Sequence, residues 1–410
     1  MSEWKKMKLG DYIDVLSGFA FKSKDFSDSG IPVIKIKNVC PPYISLEDLS
    51  YVPNSIAFQN PRYILRKGDV LIAMTGSHIN QIASVVGRVG RVRYDAITVL
   101  NQRVGKIVNK NEAKSSLDYI YYYLSQYEVK VELAQKAGGA ANQANISPSD
   151  IKNLLFPYPP MEVQHRIATI LSRYDSLIEN YQKQIKLLEE AAQRLYKEWF
   201  VDLHFPGHEN TKIIDGVPEG WEYRKIGDVY KTVLGGTPSR AKSNYWGGDI
   251  PWINSGEINK LRIIQASEMI TQEGYDNSST KLMPVHTTIL AITGATLGQV
   301  SYTEIETCAN QSVVGIIDET NQTNEYLYLY INDNILSIVN KATGGAQQHI
   351  NKDIVNDYNI LIPVQNVLAL FKERTTPLFK LIKDYLNSIQ SLTEARDRLL
   401  PKLMNEEIKV

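Results

Sequence analysis

The segment Met161–Phe200 constrains the fold of this chain more than any other, because its 40 residues contain neither proline nor glycine. Apolar residues recur in it at seven-residue steps, in two rows that lie four residues apart. The first row is Ile167, Tyr174, Tyr181, Leu188 and Leu195, and the second is Leu171, Ile178, Ile185, Ala192 and Trp199. Together the rows predict one apolar stripe on a coiled-coil helix, roughly 60 Å long at about 1.5 Å per residue. The other face mixes acids and bases, including Lys183 and Glu189, which predicts a solvated or partner-docking surface.

A lone helix of this length cannot bury its stripe, and the segment Val364–Met404 supplies a partner. It carries a second heptad row, formed by Phe371, Leu378, Tyr385, Leu392 and Leu399, and this row is flanked four residues on by Leu368, Ile382, Ile389 and Leu403. The ends of the two segments also align, since Ile185–Phe200 reads IKLLEEAAQRLYKEWF and Ile389–Met404 reads IQSLTEARDRLLPKLM. The alternative is that any two amphipathic helices look somewhat alike, but the remainder of the chain repeats as well.

The residues before the first helix and those between the two helices share short matches in the same order. The matching pairs are Leu9–Asp11 with Ile226–Asp228, Ile31–Ile34 with Ile250–Ile253, Met74–Gly76 with Ile292–Gly294, Asn101–Gln102 with Asn310–Gln311, Tyr119–Tyr121 with Tyr326–Tyr328, Gly138–Ala140 with Gly344–Ala346, and Asp150–Ile151 with Asp353–Ile354. This order indicates a duplication. It predicts an α+β fold with two similar mixed α/β globules at 1–160 and 203–363, and long helices at 161–202 and 364–410.

Bulk composition sets broad limits on the class of protein. The 410 residues allow two or three domains, and 45 Lys plus Arg balance 45 Asp plus Glu, so total charge favours no particular partner. Cys40 and Cys308 lie far apart, without metal or disulfide spacing, which fits a reducing compartment. The chain has neither a signal-peptide pattern at its start nor an apolar run of membrane-spanning length. We therefore expect a soluble, cytoplasmic protein without a membrane partner.

Three motifs and the paired helices carry a family resemblance that covers essentially the whole chain. The motifs are GGTPSR at Gly235–Arg240, YWGGDIPW at Tyr245–Trp252 and TGATLG at Thr293–Gly298. With the two helices, they resemble the specificity subunits of type I restriction–modification systems. The resemblance implies two target recognition domains, each reading half of a bipartite double-stranded DNA site. It also implies two long antiparallel helices, related by a pseudo-two-fold axis, that hold the globules apart and dock two methyltransferase subunits and restriction subunits.

The first half of the chain departs from those motifs. It reads VLSGFAFKSKDF from Val15 where the second half has GGTPSR, and TGSHIN from Thr75 where the second half has TGATLG. Such a departure fits two globules that read different half-sites.

Catalytic signatures are missing from the sequence. We find no P-loop, no H-E-x-x-H, no G-x-S-x-G and no Asn-Pro-Pro-Tyr methyltransferase motif. His204 and His208 are separated by Phe-Pro-Gly, which argues against a helical metal site, and we predict none. The resemblance implies a non-catalytic subunit that binds no cofactor, with S-adenosylmethionine, ATP and Mg used by partner subunits. The alternative class is a coiled-coil scaffold whose globules bind protein.

Basic and polar residues provide candidate DNA contacts in both halves. In the first half, Arg88, Arg91, Arg93 and Arg103 form a basic stretch, and the alternation Arg91-Val92-Arg93 places both arginines on one strand face. We predict that this face meets DNA; the alternative is a solubilising surface. Beside glycine turns lie side chains able to pair with base edges, namely Ser77, His78, Asn80, Gln81, Thr296 and Gln299. Ordinary turn chemistry is the alternative for these residues.

Three further groups complete the predicted DNA-contacting set. Two amide-rich loops precede helix starts, where free backbone N–H groups can bind phosphate; they contribute Asn142, Gln143, Gln347, Gln348 and His349. These loops could equally be plain helix entries. The Ile-Pro strands are followed by Lys35, Lys37, Asn38, Asn254 and Ser255, and the GGTPSR region contributes Ser239, Arg240 and Lys242. We expect Tyr245 and Trp246 to pack rather than to stack on bases.

Overall fold

The computed structural model describes residues 4–77, 85–138, 143–341 and 349–410, and the chain divides into two compact units. The first unit contains the residues up to 176 together with 392–410, and the second contains 177–391. Each unit therefore combines one globule with part of both long helices. The sequence-based division at 160, 202 and 363 instead treats each long helix as a separate element, and those boundaries stay a prediction.

Short strands and helices alternate with turns in both units. The strands of the first unit are β1 (Lys6–Lys8), β2 (Ile13–Ser17), β3 (Ile31–Ile34), β4 (Val39–Cys40), β5 (Tyr43–Ile44), β6 (Ser50–Val52), β7 (Ile64–Leu65), β8 (Val70–Ala73), β9 (Thr75–Ser77), β10 (Val89–Arg91), β11 (Thr98–Leu100), β12 (Val104–Asn109), β13 (Gln143–Asn145) and β14 (Leu155–Pro157). The strands of the second unit are β15 (Ile213–Ile214), β16 (Val217–Pro218), β17 (Glu222–Lys225), β18 (Lys231–Leu234), β19 (Trp246–Ile253), β20 (Arg262–Ile263), β21 (Glu268–Ile270), β22 (Thr288–Ala291), β23 (Val300–Thr303), β24 (Cys308–Ala309), β25 (Val313–Ile317) and β26 (Asn359–Ile362).

The helices differ widely in length. In chain order they are α1 (Asn54–Phe58), α2 (Leu117–Leu124), α3 (Tyr127–Lys136), α4 (Pro148–Lys152), α5 (Met161–Tyr196), α6 (Ile226–Val229), α7 (Gln272–Asp276), α8 (Asn324–Val339), α9 (Lys352–Asn356) and α10 (Gln365–Met404). A π-helical turn, Lys197–Val201, continues α5. Single 3-10 turns occur at Leu9–Asp11, Ser23–Asp25, Ile36–Asn38, Pro61–Tyr63, His208–Asn210, Ser243–Tyr245, Ser255–Asn259 and Gly294–Thr296.

The two predicted long helices are confirmed as α5 and α10. On α5 the second heptad row is buried at all five positions, Leu171, Ile178, Ile185, Ala192 and Trp199. The first row is buried only at Ile167, and its other members are partly exposed. On α10 the predicted row is fully buried only at Phe371, while the predicted flanking residues Leu368, Ile382 and Leu403 are buried and Ile389 is partly exposed. Burial in the second unit follows Leu368, Phe371, Thr375, Phe379 and Ile382. These residues follow the 3.6-residue period of a helix that packs on a globule as well as on another helix.

The helices run antiparallel within the second unit. Tyr181 of α5 stacks on Tyr385 of α10 with ring centroids 4.9 Å apart, and Trp199 lies 5.7 Å from Phe371. Residue numbers therefore rise along α5 as they fall along α10. In the first unit, Ile167 and Leu171 share a core with Leu400, Leu403 and Met404, as an antiparallel pair requires.

The first unit is built on two sheets. Among its described residues, one sheet has the order β2-β12-β8-β10-β5-β4 and the other has the order β6-β3-β11-β7. Strand β1 pairs with β14, and β9 pairs with β13. Ser147 caps the N-terminus of helix α4, because its hydroxyl accepts a hydrogen bond from the backbone N–H of Asp150, and Pro148 occupies the first turn. Helices α2 and α3 follow each other closely and are separated only by Ser125 and Gln126.

The second unit repeats this strand order, which confirms the duplication. Its larger sheet, β18-β25-β22-β23-β20, corresponds to β2-β12-β8-β10-β5, while β21-β19-β24 corresponds to β6-β3-β11, and β17-β26 to β1-β14. Two glycines show the match at atomic detail. A Cβ on Gly18 would lie 2.3 Å from the carbonyl oxygen of Asn101, and one on Gly235 would lie 2.1 Å from that of Asn310. The predicted α+β class is therefore confirmed.

Tyrosine-rich helices centre the two largest cores. In the first unit, Tyr119–Tyr123 on α2 is packed between the larger sheet and the long helices. In the second unit, Tyr326–Tyr330 on α8 is placed in the same way. None of the helices in the described part of the chain is both long and apolar enough to span a membrane.

Candidate nucleic-acid interface

Arg91 and Arg93 do not form the solvent-facing basic strand that the sequence predicted. The Arg91 side chain is only 13% exposed, with Nη2 2.6 Å from Asp118 Oδ1, and its guanidinium lies 4.5 Å from the Tyr121 ring centroid. Arg93 Nη2 lies 3.4 Å from Asp175 Oδ2 on α5. Strand β10 ends at Arg91, so Arg93 lies just beyond the strand on which both arginines were predicted. Helices α2 and α5 meet these two side chains, which therefore make internal ion pairs.

The rest of the basic stretch is more accessible. Arg103 is exposed and Arg88 is partly exposed, so both stay candidates for phosphate contact. Lys106 of the same stretch is paired with Asp69, with Nζ 2.7 Å from Oδ2. The cationic surface that this stretch offers is therefore narrower than the count of basic residues in the sequence implied.

The turn after β3 contains three predicted contacts in different environments. Asn38 is 2% exposed, its Oδ1 accepts from the Lys35 backbone N–H at 3.0 Å, and its Nδ2 donates to the Glu47 carbonyl. This side chain therefore shapes the turn from inside and does not face a ligand. Lys35 Nζ donates to Ser50 Oγ at 2.8 Å, and burial followed by repulsion from Lys37 lowers the pKa of Lys35. Lys37 is exposed and paired with Asp48, which is more exposed still.

The GGTPSR loop in the second unit is fastened to strand β19 by its indoles. Trp252 Nε1 donates to the Gly236 carbonyl at 3.0 Å, and Trp246 Nε1 donates to the Ser239 carbonyl at 3.3 Å. The Arg240 guanidinium lies 3.6 Å from the Trp246 ring centroid and donates from Nη2 to Glu268 Oε1 at 2.9 Å. That hydrogen bond lowers the pKa of Glu268. Trp246 thus packs, as predicted, beneath an oriented guanidinium that is half exposed.

The other candidates near this loop flank β19 in the sequence. Ser239 and Lys242 are exposed, and Lys242 Nζ donates to Tyr245 Oη at 2.8 Å. Asn254 Oδ1 accepts from the Gly256 N–H at 2.8 Å and caps the 3-10 turn in which Ser255 is partly exposed. Asn254 is therefore used in capping the turn, whereas Lys242 is exposed and stays a candidate for DNA contact.

Some of the remaining candidates lie within the described residues and others lie outside them. Thr296 Oγ1 donates to the Thr293 carbonyl at 3.2 Å, which is turn chemistry, and Gln299 Oε1 is buried without a hydrogen bond from the described residues. His349 is exposed, and strand pairing sets Ser77 opposite Gln143. Six predicted contacts lie outside the described residues: His78, Asn80, Gln81, Asn142, Gln347 and Gln348.

Two buried acids on α5 were missed by sequence reasoning. Asp175 is 1% exposed and Glu189 is 5% exposed, although Glu189 belongs to the face predicted to be solvated. Asp175 accepts hydrogen bonds from Tyr122 Oη at 2.7 Å and Arg396 Nη1 at 2.8 Å. A signal was available, because Ala168, Asp175, Glu189 and Tyr196 all fall on one seven-residue row beside the apolar stripe.

Glu189 meets Arg262, whose side chain has no exposed surface. Arg262 Nη2 donates to Glu189 Oε1, and Arg262 Nε lies 3.8 Å from Glu304 Oε1. Burial raises the pKa of Glu189, and the attraction of Arg262 opposes that shift. Glu304 also lies 3.4 Å from Lys383 Nζ on α10. Arg262 and Glu189 are both buried, so this ion pair acts within the fold.

Comparisons with known proteins agree with the fold and the repeat. Residues 1–190 and 218–386 match the profile of the type I restriction modification DNA specificity domain. The chain is 27% identical over 421 residues to the type I restriction enzyme MjaIX specificity subunit of Methanocaldococcus jannaschii, which covers 100% of this chain and 94% of that protein. It is 25% identical over 341 residues to the HindI specificity subunit of Haemophilus influenzae, covering 67% and 73% of the two chains.

A solved structure shows the same fold. The type I restriction–modification S subunit from M. genitalium superposes with a TM-score of 0.58 at 16% identity, covering 98% of this chain and 96% of that one. At that identity the superposition speaks for the fold alone, while the profile spans both units. This chain therefore belongs to the type I restriction–modification DNA specificity family.

Proposed function

We propose that this chain is the non-catalytic DNA specificity subunit of a type I restriction–modification complex, acting in cytoplasmic host defence. Each unit reads one half of a bipartite double-stranded target. Family membership over both units supports this proposal, as do relatives that are themselves named specificity subunits.

The observation that carries the proposal is a duplicated strand order combined with different loops. The two larger sheets share one order, yet Gly18 is followed by FAFKSKDF whereas Gly235 is followed by GTPSR. Since strands form the scaffold and loops bear the contacts, two globules of this kind suit two different half-sites. Exposed or partly exposed cations stand in both units, including Arg88, Arg103, Arg240 and Lys242.

Chemistry on DNA belongs, in this proposal, to partner subunits. A methyltransferase subunit uses S-adenosylmethionine, a restriction subunit uses ATP and Mg, and this chain binds none of them. The duplicated helices α5 and α10 offer two similar surfaces, so we expect two methyltransferase subunits for each copy of this chain. Native mass spectrometry with excess methyltransferase subunit tests this: a 2:1 complex supports it, and a limit of 1:1 contradicts it.

A salt series tests DNA binding against the scaffold alternative. The complex of this chain with its methyltransferase is titrated onto a labelled duplex by fluorescence anisotropy at several salt concentrations. Lysine and arginine contacts to phosphate release counterions, so the logarithm of affinity falls linearly with the logarithm of salt. The methyltransferase alone is the control. If this chain adds no salt-dependent affinity, the scaffold function is favoured.

Exchange of one globule tests whether the units read independently. Residues 1–160 are replaced by the first globule of another family member that has a different target. We expect one half of the methylated motif to change while the other half is retained. A change in both halves would contradict independent reading.

A further inference from the structure

Each unit buries one carboxylate of α5 against an arginine of its own globule. The carboxylates belong to Asp175 and Glu189, whose positions differ by 14 residues (189 minus 175), which is two heptads. They occupy the row of α5 that faces the globules rather than the row buried along the helix stripe. The proposed DNA contacts account for neither acid.

The cluster in the first unit joins α5 to three other segments. Asp175 of α5 accepts from Tyr122 of α2 at 2.7 Å, from Arg396 of α10 at 2.8 Å, and from Arg93 of the globule at 3.4 Å. Tyr122 is itself 2% exposed. Both carboxylate oxygens are used, because Arg396 binds Oδ1 while Tyr122 and Arg93 bind Oδ2.

The cluster in the second unit is built from different residues. Arg262 of β20 binds Glu189 of α5, and its guanidinium lies 4.5 Å from the ring centroids of both Tyr328 on α8 and Phe379 on α10. In the repeat that pairs Ile185 with Ile389, Asp175 corresponds to Phe379 (offset 204) and Glu189 to Thr393. Neither acid has an acidic equivalent in the repeat. The two clusters therefore arose at positions that do not correspond, and one cluster is not a copy of the other.

Buried ion pairs tolerate a shift of a globule along a helix less well than apolar contacts do. Leucine and isoleucine contacts can repack after a shift of one position, at modest cost. A shift of one residue moves a side chain about 1.5 Å along the helix and turns it by about 100°, which would leave a buried charge unpaired. Such pairs add little net stability compared with apolar residues of similar volume, but they penalise other arrangements strongly.

We propose that Asp175 and Glu189, with their arginine partners, are positioning residues that fix where each globule packs along the long helices. The proposal rests on the proposed function, because its consequence concerns how DNA is read. A globule that can pack at only one position on the helices reads its half-site at one spacing from the other half-site. A globule that can pack at several positions allows several spacings. The clusters therefore restrict the spacer and leave the bases of each half-site to the loops.

The test removes the Glu189–Arg262 pair without leaving either of these two partners as an unpaired buried charge. In the double variant Glu189→Met with Arg262→Met, both partners become apolar, and Glu304 keeps its contact with Lys383. The variant complex methylates genomic DNA in cells, and modified sites are mapped by long-read sequencing. We expect the half-site bases to stay unchanged and a second spacer length to appear at about one tenth of modified sites or more. One tenth corresponds to a tenfold preference for the original spacer, or about 1.4 kcal/mol.

Matched variants separate positioning from general loss of stability. Glu179→Gln removes the partly exposed ion pair with Lys183 on the same helix and should leave a single spacer. Asp175→Asn loosens the first cluster independently while retaining an oxygen that accepts from Arg396 or Tyr122. Thermal unfolding of each variant confirms that the protein is folded before its methylation pattern is scored.

The outcomes are distinguishable. Without a bipartite motif for the wild-type complex, the proposed function itself fails. If the wild type gives a motif and a folded variant of either cluster keeps a single spacer, the positioning role is overturned. It is also overturned if half-site bases change instead, or if both cluster variants fail to fold, because the clusters would then be stability elements.

Discussion

Arg262 stands directly opposite Tyr302 in the paired strands β20 and β23, with its guanidinium 5.1 Å from that ring's centroid. In the first unit the corresponding strands β5 and β10 hold the reverse arrangement, with Tyr43 opposite Arg91. Each arginine also lies 4.5 Å from the centroid of a tyrosine on the neighbouring helix, Tyr328 or Tyr121. The duplication has therefore kept an arginine–tyrosine pair beneath the helix while exchanging the strand that carries each residue.

Removing Arg262 alone should be strongly destabilising. Arg262→Met leaves Glu189 and Glu304 buried without their shared cation, and breaking one side of a buried pair costs about 3–5 kcal/mol. Urea unfolding at neutral pH measures the loss. Lys183→Met, which removes a partly exposed pair with Glu179 one helical turn away, should cost only about 0.3–0.5 kcal/mol. Equal losses in the two variants would contradict the assigned role of Arg262.

Gly18 and Gly235 should respond alike to alanine, as equivalent positions of a repeat. The added Cβ would meet a backbone carbonyl oxygen at 2.3 Å or 2.1 Å, so the chain must shift, at a cost of about 1–3 kcal/mol or more. Gly138→Ala is the control, since its Cβ meets nothing within 4 Å. Unfolding free energies check this, and an unchanged value for Gly18→Ala or Gly235→Ala would contradict the close approach.

The two cysteines should differ in reactivity. Cys40 is exposed, whereas Cys308 is buried and its burial raises the pKa of the thiol to about 11. At pH 8 we expect a thiol reagent to modify one cysteine rapidly in the folded protein and both in denaturant, because the thiolate is the reactive form. Cys40→Ser should abolish the rapid reaction. A rapid reaction that persists in this variant would contradict the burial of Cys308.

Asp318 should make stability depend on acid pH. It accepts from the backbone N–H groups of Thr320, Gln322 and Thr323 just before α8. Burial alone would raise the pKa of Asp318, but these bonds and the threonine hydroxyls lower it below its ordinary value. Because the folded pKa is depressed, the contribution is complete above about pH 4, the pKa of an unfolded aspartate, and is lost as pH falls through the folded value.

The variant Asp318→Asn isolates that contribution. At pH 7 we expect it to lose about 1–3 kcal/mol of unfolding free energy relative to wild type, since buried donors lose a charged acceptor. The difference between the two proteins should shrink as pH falls below 4. A difference that stays constant from pH 7 to pH 3 would contradict this assignment.

The long helices and the duplication could be predicted from the sequence because both depend on patterns of residues that are close together in the chain or that recur in the same order. Absence of proline and glycine with a heptad stripe leaves few alternatives to α5, and ordered matches such as Asn101 with Asn310 reflect equivalent strands. The burial of Asp175 and Glu189 could not be predicted in this way. A charged residue in mid-helix is usually solvated, and their partners Arg93 and Arg262 lie 82 and 73 residues away in the sequence.

The candidate site was predicted less completely for a related reason. Alternation places Arg91 and Arg93 on one face of a strand but does not say which layer covers that face. Likewise, Asn38 follows an Ile-Pro strand as Asn254 does, yet it is 2% exposed because its amide closes the turn. Exposed candidates such as Arg103 and Arg240 stay predictions of DNA contact.

Mapping of DNA methylation tests the central claim most directly. Genomic DNA is sequenced from cells that express the methyltransferase subunit with this chain, without it, or with residues 1–160 exchanged for another member's first globule. We predict a single bipartite motif that appears only when this chain is present and changes in one half after the exchange. Methylation that is independent of this chain, or confined to one continuous motif that the exchange leaves unaltered, would contradict the account.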